Sequence, residues 1–395
     1  MKKIKIVRVV SVPHAFVHIE ETLQLLSREN FEITLVSSRD TYLNDYLKKF
    51  PEKSIRFKEI PMDREIAPFS DLVAIFRLTC FLMEYRPDII HSSTPKAGII
   101  ACIASFLARI PLRFHTFTGQ RWATLQGLSN KILKLIDFLI IKLNSETLAD
   151  SPSQVEYLKS YGLSPVSCLL KGSYGGVDLI KFSPDKKNKF NQEQRKKLGI
   201  SDQARIALFL GRVNKDKGVD DLIEVFHKSF KNLTDSYLLF VGPYEKENNP
   251  ISDENEKIMM GHANIKFLGM KNDPVPYLAM ADFLVLPSFR EGFGTVVIEA
   301  AGMEIPTLGR KIPGLVDSIL HQESGLLFDS IQEFEEQLVK LFREPLFCKK
   351  LGKSARPHAL KYFDSKILAK SQLDFYRNRI GAIDNSQTEI FVEKF

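Results

Sequence analysis

Short apolar runs rich in β-branched and aromatic residues alternate with longer stretches whose apolar positions recur at helical spacing. In the first half, the runs stand at 5–12, 32–38, 55–61, 88–93, 112–119, 147–151 and 167–173. Helical spacing lies between them, at 18–29 and 72–86 for example. The alternation pauses at a polar stretch, SPDKKNKFNQEQRKKLGISDQ, 183–203, and then restarts. Second-half runs occupy 204–212, 236–243, 264–269, 282–288, 305–310 and 324–329, with helices at 221–230, 296–303 and 334–344. Repeated strand–helix alternation predicts parallel sheets covered by helices on both faces. The expected architecture is α/β: two Rossmann-like doubly wound parallel-sheet domains, 1–180 and 204–361, joined by a linker at 181–203. Their ligands belong beyond the carboxyl ends of the strands, in a cleft faced by both sheets. A final helical segment and tail fill 362–395.

Composition narrows the class. At 395 residues the chain exceeds a single ordinary core, and 44% hydrophobic with 26% charged residues is the balance of a globular protein. Cys80, Cys102, Cys168 and Cys348 are too scattered for a disulfide framework or a metal knuckle, which fits a reducing cytoplasm. Lys5 and Arg8 break the apolar run at the N-terminus, which therefore reads as a buried first strand instead of a signal peptide. The longest apolar stretch, 97–110, is too short to cross a membrane. Of the net charge of +7, residues 1–180 carry 23 Lys+Arg against 18 Asp+Glu, an excess of 5. That bias suits an anionic partner of the first half, or simply a basic solvated surface. No arginine run or binding module points to nucleic acid.

Candidate chemistry concentrates in the second half. In PSFREGFGTVVIEAAGMEIP, 287–306, a strand ends near Pro287, a turn Glu291-Gly292-Phe293-Gly294 follows, and a helix opens near Thr295, which can cap it. The exposed amides and the helix dipole then form an anion site suited to a diphosphate. Glu291 can face the hydroxyls of a sugar, and Glu299, about one turn into the helix, those of a ribose. In FLGRVNKDKGVDDLIEVF, 209–226, Gly211 ends a strand, Arg212 follows at once and Lys217 precedes the next helix. Forked guanidinium donors and a compact ammonium suit phosphate oxygens and stabilise charge growing on a departing diphosphate. Lys215 reads as a solvated charge. Either stretch alone could be an ordinary loop; together they are hard to dismiss.

With these motifs in hand, the chain resembles the retaining glycosyltransferases of family 4, which have the GT-B fold. The resemblance rests on G-R-x(4)-K-G at 211–218 and P-S-x(2)-E-G-F-G-x(4)-E-A at 287–300, and covers nearly all of 170–330. GGVDLIKFSP (175–184), VGP (241–243), LGMKNDPVPYLAMADFLVLPS (268–288) and SGLLFD (324–329) support it. It implies a nucleotide-sugar donor, UDP-linked in the commonest case, held by the C-terminal domain. Arg212 and Lys217 would hold the diphosphate, Glu291 and the Gly292–Gly294 backbone the donor sugar, and Glu299 the ribose. The base would lie near Met270 and Lys271. The implied mechanism is front-face: the leaving diphosphate takes the acceptor proton, and no residue serves as nucleophile. D-x-D, the usual carboxylate pair for a metal-bridged diphosphate, occurs nowhere, so no metal or other cofactor is expected.

The first half departs more from the family. SVPHAFVH, 11–18, replaces the glycine pair after the first strand, which leaves His14 or His18 as cleft candidates. Where the family shows T-x-H-G, alignment on Gly119 puts Thr118 at the histidine position, and His115 lies earlier in the same run. HTFTGQ with its tryptophan and HSSTPKAG (91–98) resemble enzymes that build bacterial capsule, O-antigen or glycoprotein glycans on polyprenyl diphosphate-linked sugars. That resemblance implies Lys96, Arg113 and Arg121 as contacts of a lipid diphosphate, and a cytoplasmic protein peripheral to the inner membrane face. SNKILKLIDFLIIKLNSE, 129–146, is amphipathic with lysines at 131, 134 and 142; it suits a sheet-covering helix or one lying on a membrane. A GT-B protein also sends its C-terminal helix, here 362–380, back to the first domain. Two other readings keep the same fold: a nucleotide-sugar 2-epimerase with hydrolytic ability, and an inactive partner subunit. A Rossmann dehydrogenase is disfavoured, because no G-x-G-x-x-G follows the first strand.

Overall fold

The computed structural model describes residues 3–392 except 52–53, 64–66, 231–234 and 248, with the side chains of Tyr42, Asn188 and 383–392 left aside. The chain forms two compact units, 1–176 with 365–395, and 177–364.

Unit 1 runs β1 (Ile4–Val9), α1 (Glu20–Arg28), β2 (Phe31–Ser37), α2 (Thr41–Leu47), β3 (Ile55–Glu59), α3 (Pro68–Tyr85) and β4 (Ile89–Ser93). It continues through α4 (Pro95–Leu107), β5 (Leu112–Phe117), α5 (Gly127–Leu143), β6 (Glu146–Ala149), α6 (Pro152–Ser160) and β7 (Ser167–Cys168). The seven strands are parallel in the order β3-β2-β1-β4-β5-β6-β7. The strand order reverses between β1 and β4. Each inner strand is buried on both faces, as a covered parallel sheet demands. In β1, Ile6 faces α1 while Val7 and Val9 face α3 and α4.

Unit 2 runs α7 (Asp185–Leu198), β8 (Arg205–Leu210), α8 (Val219–Phe230), β9 (Ser236–Val241), α9 (Asp253–Gly261), β10 (Ile265–Phe267) and α10 (Val275–Met280). Then come β11 (Phe283–Leu286), α11 (Thr295–Gly302), β12 (Thr307–Arg310), α12 (Leu315–Ser318), β13 (Gly325–Phe328), α13 (Ile331–Arg343) and α14 (Pro345–Tyr362). Its six-stranded order is β10-β9-β8-β11-β12-β13, with the reversal between β8 and β11. Alternation along β8 feeds two cores: Ala207 and Phe209 on one face, Ile206 and Leu208 on the other. The last helix, α15 (Ser365–Val392), packs on α1 in unit 1. Residues 393–395, the end of the predicted tail, lie outside the described residues.

Two expectations need correction. The stretch 181–203 is not a linker: most of it is α7, an integral helix of unit 2 packed on α10. The helix carries no broad apolar stripe, and Arg195 does the anchoring. Its buried guanidinium donates to the carbonyls of Ser201, Ala204 and Met280 at 2.9, 2.8 and 3.1 Å. The run at 167–173 pairs only at Ser167–Cys168, because Leu170 and Ser173 take positive φ and turn the chain away.

Candidate active site

In an open parallel sheet, the loops on either side of the order reversal diverge and leave a crevice at the carboxyl ends of the strands. In unit 2 those loops follow β8 and β11, and they carry the residues singled out above.

After β8, Gly211 and Arg212 lead to Asn214, whose Oδ1 accepts from Lys217 N at 3.1 Å and so caps the single 3-10 turn Lys215–Lys217. Gly218 follows with φ +67°, and a Cβ there would lie 2.1 Å from Pro287 O. The missing side chain lets the loop press onto the end of β11. Lys217 Nζ consequently meets Glu291 Oε1 at 2.5 Å, with both side chains mostly buried. Ser288 Oγ donates to the same oxygen at 2.7 Å. Asp216 ties the loops again: its carbonyl accepts from Phe289 N at 2.9 Å, and its carboxylate holds Arg290 at 2.7 Å. On the other side, Glu245 Oε2 accepts from both Arg212 Nη1 and Asn214 Nδ2 at 2.7 Å. A continuous polar chain thus runs Arg212, Glu245, Asn214, Lys217, Glu291. Both expected phosphate cations rest against carboxylates.

The turn Glu291–Gly294 is held rigidly. Phe293, expected among the ligand-binding residues, contributes backbone alone: its ring is buried, 4.9 Å from that of Phe363. Gly314 lies so close that a Cβ would meet Gly292 O at 2.6 Å. Thr295 does not cap α11, contrary to expectation; Gly294, at φ +77°, is the N-cap, and no side chain bonds the first amides. The N-cap residue therefore offers the first amides of α11 no side-chain partner. Glu299, four residues in, has its carboxyl pushed up to about 7, chiefly by burial, with Lys181 pulling it down and Asp273 up. Met270 and Lys271 follow β10 beyond Gly269, whose carbonyl accepts from Gly242 N at 3.0 Å. They occupy the carboxyl edge of β10 and β9, with Met270 exposed.

Unit 1 divides its candidates. His14 is exposed on the 3-10 turn Pro13–Ile19 after β1, and Thr118 is partly exposed just past β5. Arg121 is exposed beside the buried Trp122. Lys96 opens α4 next to the order reversal, where both oxygens of Asp71 hold its ammonium at 2.6 Å. Two predicted contacts fail on position. Arg113 stands at the amino end of β5, and its guanidinium donates to the carbonyls of Leu143 and Ile110 at 2.8 and 2.6 Å. His115 is buried under α4, 2.9 Å from Ser92 Oγ and edge-on to Phe117. A Cβ on Gly98 would lie 2.5 Å from its ring, and burial lowers its pKa to about 3. It is a neutral core histidine.

Residues not singled out in the sequence complete both units. Asn214, Glu245 and Ser288 belong to the crevice; of these only Asn214, three before Lys217, carries a local signal, the spacing of a capping residue. In unit 1, buried Arg8 donates to Tyr376 Oη and to Gln372 Oε1 of α15, and stacks over Tyr174. His91 joins Tyr376 Oη at 2.7 Å and Thr116 Oγ1 at 2.8 Å, its pKa held well below the usual range by burial and by Arg8.

Comparison with known proteins bears on family and fold. Residues 17–170 match the model of a glycosyl transferase 4-like domain, and residues 190–358 that of glycosyl transferases group 1. A capsular polysaccharide biosynthesis glycosyltransferase of Staphylococcus aureus is 28% identical over 373 residues, 93% of this chain and 95% of that protein. UDP-Gal:alpha-D-GlcNAc-diphosphoundecaprenol alpha-1,3-galactosyltransferase of Escherichia coli is 27% identical over 332 residues, 81% and 82% of the two chains. Among solved structures, sucrose-phosphate synthase of Thermosynechococcus elongatus superposes with a TM-score of 0.78 at 17% identity, over 96% of this chain and 100% of that one. With two parallel-sheet α/β units, one family model on each and relatives matching along most of its length, this chain belongs to the group 1 glycosyltransferases of GT-B fold.

Proposed function

We propose that the protein is a retaining hexosyltransferase that moves a sugar from a UDP-sugar onto a polyprenyl diphosphate-linked saccharide, without a metal, during bacterial surface polysaccharide synthesis. The observation that carries the reading is the polar chain from Arg212 to Glu291 at the order reversal of unit 2, beside the uncapped start of α11. Donor diphosphate would displace Glu245 from Arg212 and Glu291 from Lys217, so each cation exchanges a carboxylate for phosphate oxygens. Glu291, released from Lys217 and still touched by Ser288, then accepts from donor-sugar hydroxyls, with the Gly292–Gly294 amides alongside. Glu299 accepts from the ribose, and the backbone of Gly211, Met270 and Lys271 borders the base.

As the glycosidic C–O bond lengthens, negative charge grows on the diphosphate, where Arg212 and Lys217 are already positioned; fixed charges of this kind stabilise the transition state over the ground state. The leaving diphosphate oxygen takes the acceptor proton on the face it vacates, which retains the anomeric configuration. Unit 1 would receive the acceptor through His14, Thr118, Lys96 and Arg121, at the inner face of the cytoplasmic membrane. UDP and a diphosphate lipid are favoured because the Escherichia coli relative's name specifies both.

Radiolabelled nucleotide sugars incubated with a short-chain polyprenyl diphosphate saccharide and excess chelator test the reading. Transfer with the anomeric configuration retained is expected. Lys217→Ala and Glu291→Gln should each lower kcat by roughly 10²- to 10³-fold with little change in Tm. Full activity in both variants would remove the site assignment, and release of free sugar or of a C2 epimer would favour the epimerase reading.

A further inference from the structure

The proposed reaction asks more of the crevice than groups that grip the donor. Lys217 and Glu291 hold the loops after β8 and β11 together by touching, at 2.5 Å, and the donor has to part them. From then on, the spacing of the two loops must be kept by groups that bind no donor. Arg290 paired with Asp216 is one such tie, made within the loops themselves. Another reaches in from outside, from the carboxyl end of β12.

Arg310 is the last residue of β12, where it pairs with Phe328 of β13. On its other side the ladder to β11 closes at Leu286 and Gly309. Pro287 comes next after Leu286, and Arg310 Nε donates to its carbonyl at 3.0 Å. That carbonyl is the same one against which the Gly218 backbone presses. Nη2 of the guanidinium donates to Asp221 Oδ2 at 2.5 Å, in the first turn of α8. One planar group thus joins a point four residues before Glu291 to a point four residues after Lys217. Its faces are covered too: the rings of Phe289 and Phe328 lie 4.2 and 5.0 Å from the guanidinium carbon. Stacked and forked, the side chain is held in one arrangement and is only 13% exposed. Lysine has neither the fork nor the flat face. None of these partners is assigned to the donor, so the joint outlasts the separation of Lys217 from Glu291.

We infer that Arg310 is a positioning residue, which keeps Glu291 and Lys217 at the spacing the transition state requires once the donor has parted them. The inference rests on the sugar-transfer reading of this site. A misplacement of about 1 Å can cost on the order of 100-fold in rate, so Arg310→Lys should lower kcat by roughly tenfold to a hundredfold. Donor KM should stay within about twofold, because the cations that grip the diphosphate remain. The Lys variant keeps a charge for Asp221, and its Tm should stay near that of wild type. In Arg310→Ala, millimolar guanidinium should restore part of kcat and methylammonium should not. Hydrogen exchange of the amides at 288–294 should quicken in both variants, with β12 and α13 unchanged. Wild-type kcat in Arg310→Lys, a loss confined to KM, or protection lost across all of unit 2 in that variant would each overturn the inference. Wild type that transfers no sugar would sink the proposed reaction instead. Exchange at 288–294 would then decide alone whether Arg310 fixes the loop, and unchanged exchange there would overturn the inference as well.

Discussion

Glu245 shows how a single carboxylate sets the resting state of the site. It holds Arg212 and Asn214, and on the proposed reading it has to release Arg212 before a diphosphate binds. Arg212 is 42% exposed, so the pair is screened and the competition modest. Glu245→Gln should therefore lower the donor KM by about twofold to fivefold with kcat nearly unchanged, read in initial-rate kinetics; a raised KM would instead make Glu245 an orienting residue. On the proposed reading Glu299 gives donor binding a pH dependence. Its carboxyl, pushed up to about 7, is protonated below that value and then loses acceptor capacity for ribose hydroxyls. Donor KM should rise as pH falls through about 7 and kcat should change less, and Glu299→Gln should flatten the profile. Arg212, Lys217, Glu291 and Glu299 were singled out from residue type and spacing, and the structure puts them on the loops after β8 and β11 and on α11. Glu245 was not: it lies 33 positions from Arg212, and only the adjacency of β8 and β9 brings it there.

At the scale of elements, α5 has two distinct faces. One face covers the sheet and the other is an apolar stripe turned to solvent. Asp137 lies between them, with its carboxyl pushed up to about 7 by burial, which outweighs the hydrogen bond from Trp122. A folded-state pKa above the unfolded one means a stability penalty that is absent at pH below the unfolded value and fully present above about 7. Asp137→Asn keeps an acceptor for Trp122 and removes the ionisation, so it should raise stability by a few kcal/mol at neutral pH and by little in mild acid. Denaturant unfolding at the two pH values measures the difference. His115 teaches the complementary lesson. A histidine on a strand before a glycine loop resembles a ligand from its neighbours in sequence, yet Gly98 of α4 closes over it. Arg113 was misplaced for a simpler reason: the strand direction puts it at the wrong end of β5.

For the molecule as a whole, the division into units is not the division along the chain. Unit 1 needs the last segment: Leu373, Phe375 and Tyr376 of α15 enter its core, and Tyr376 and Gln372 hold the buried guanidinium of Arg8. The two strands of chain that leave unit 2 are paired, Val177 bridging Asp364. Deleting 365–395 should strip Arg8 of its Tyr376 and Gln372 partners and open the core that Leu373, Phe375 and Tyr376 fill. Calorimetry of the truncated chain should show the transition of unit 1 lost or strongly lowered and that of unit 2 retained, because each has its own core.

Hydrophobic periodicity marked the inner strands of both sheets among the described residues, and with them the α/β class, because burial on both faces of a parallel sheet leaves a clear local mark. Glycine-rich turns and the cations beside them likewise marked the loops after β8 and β11 as the candidate site, since those signals lie within a few residues. Only the tertiary structure decided that Lys217 and Glu291, 74 positions apart, touch and that His115 is sealed in the core. Such facts depend on strand order and on which face each crossover covers. They arise from contacts between residues far apart in the chain, and no window of sequence contains both partners.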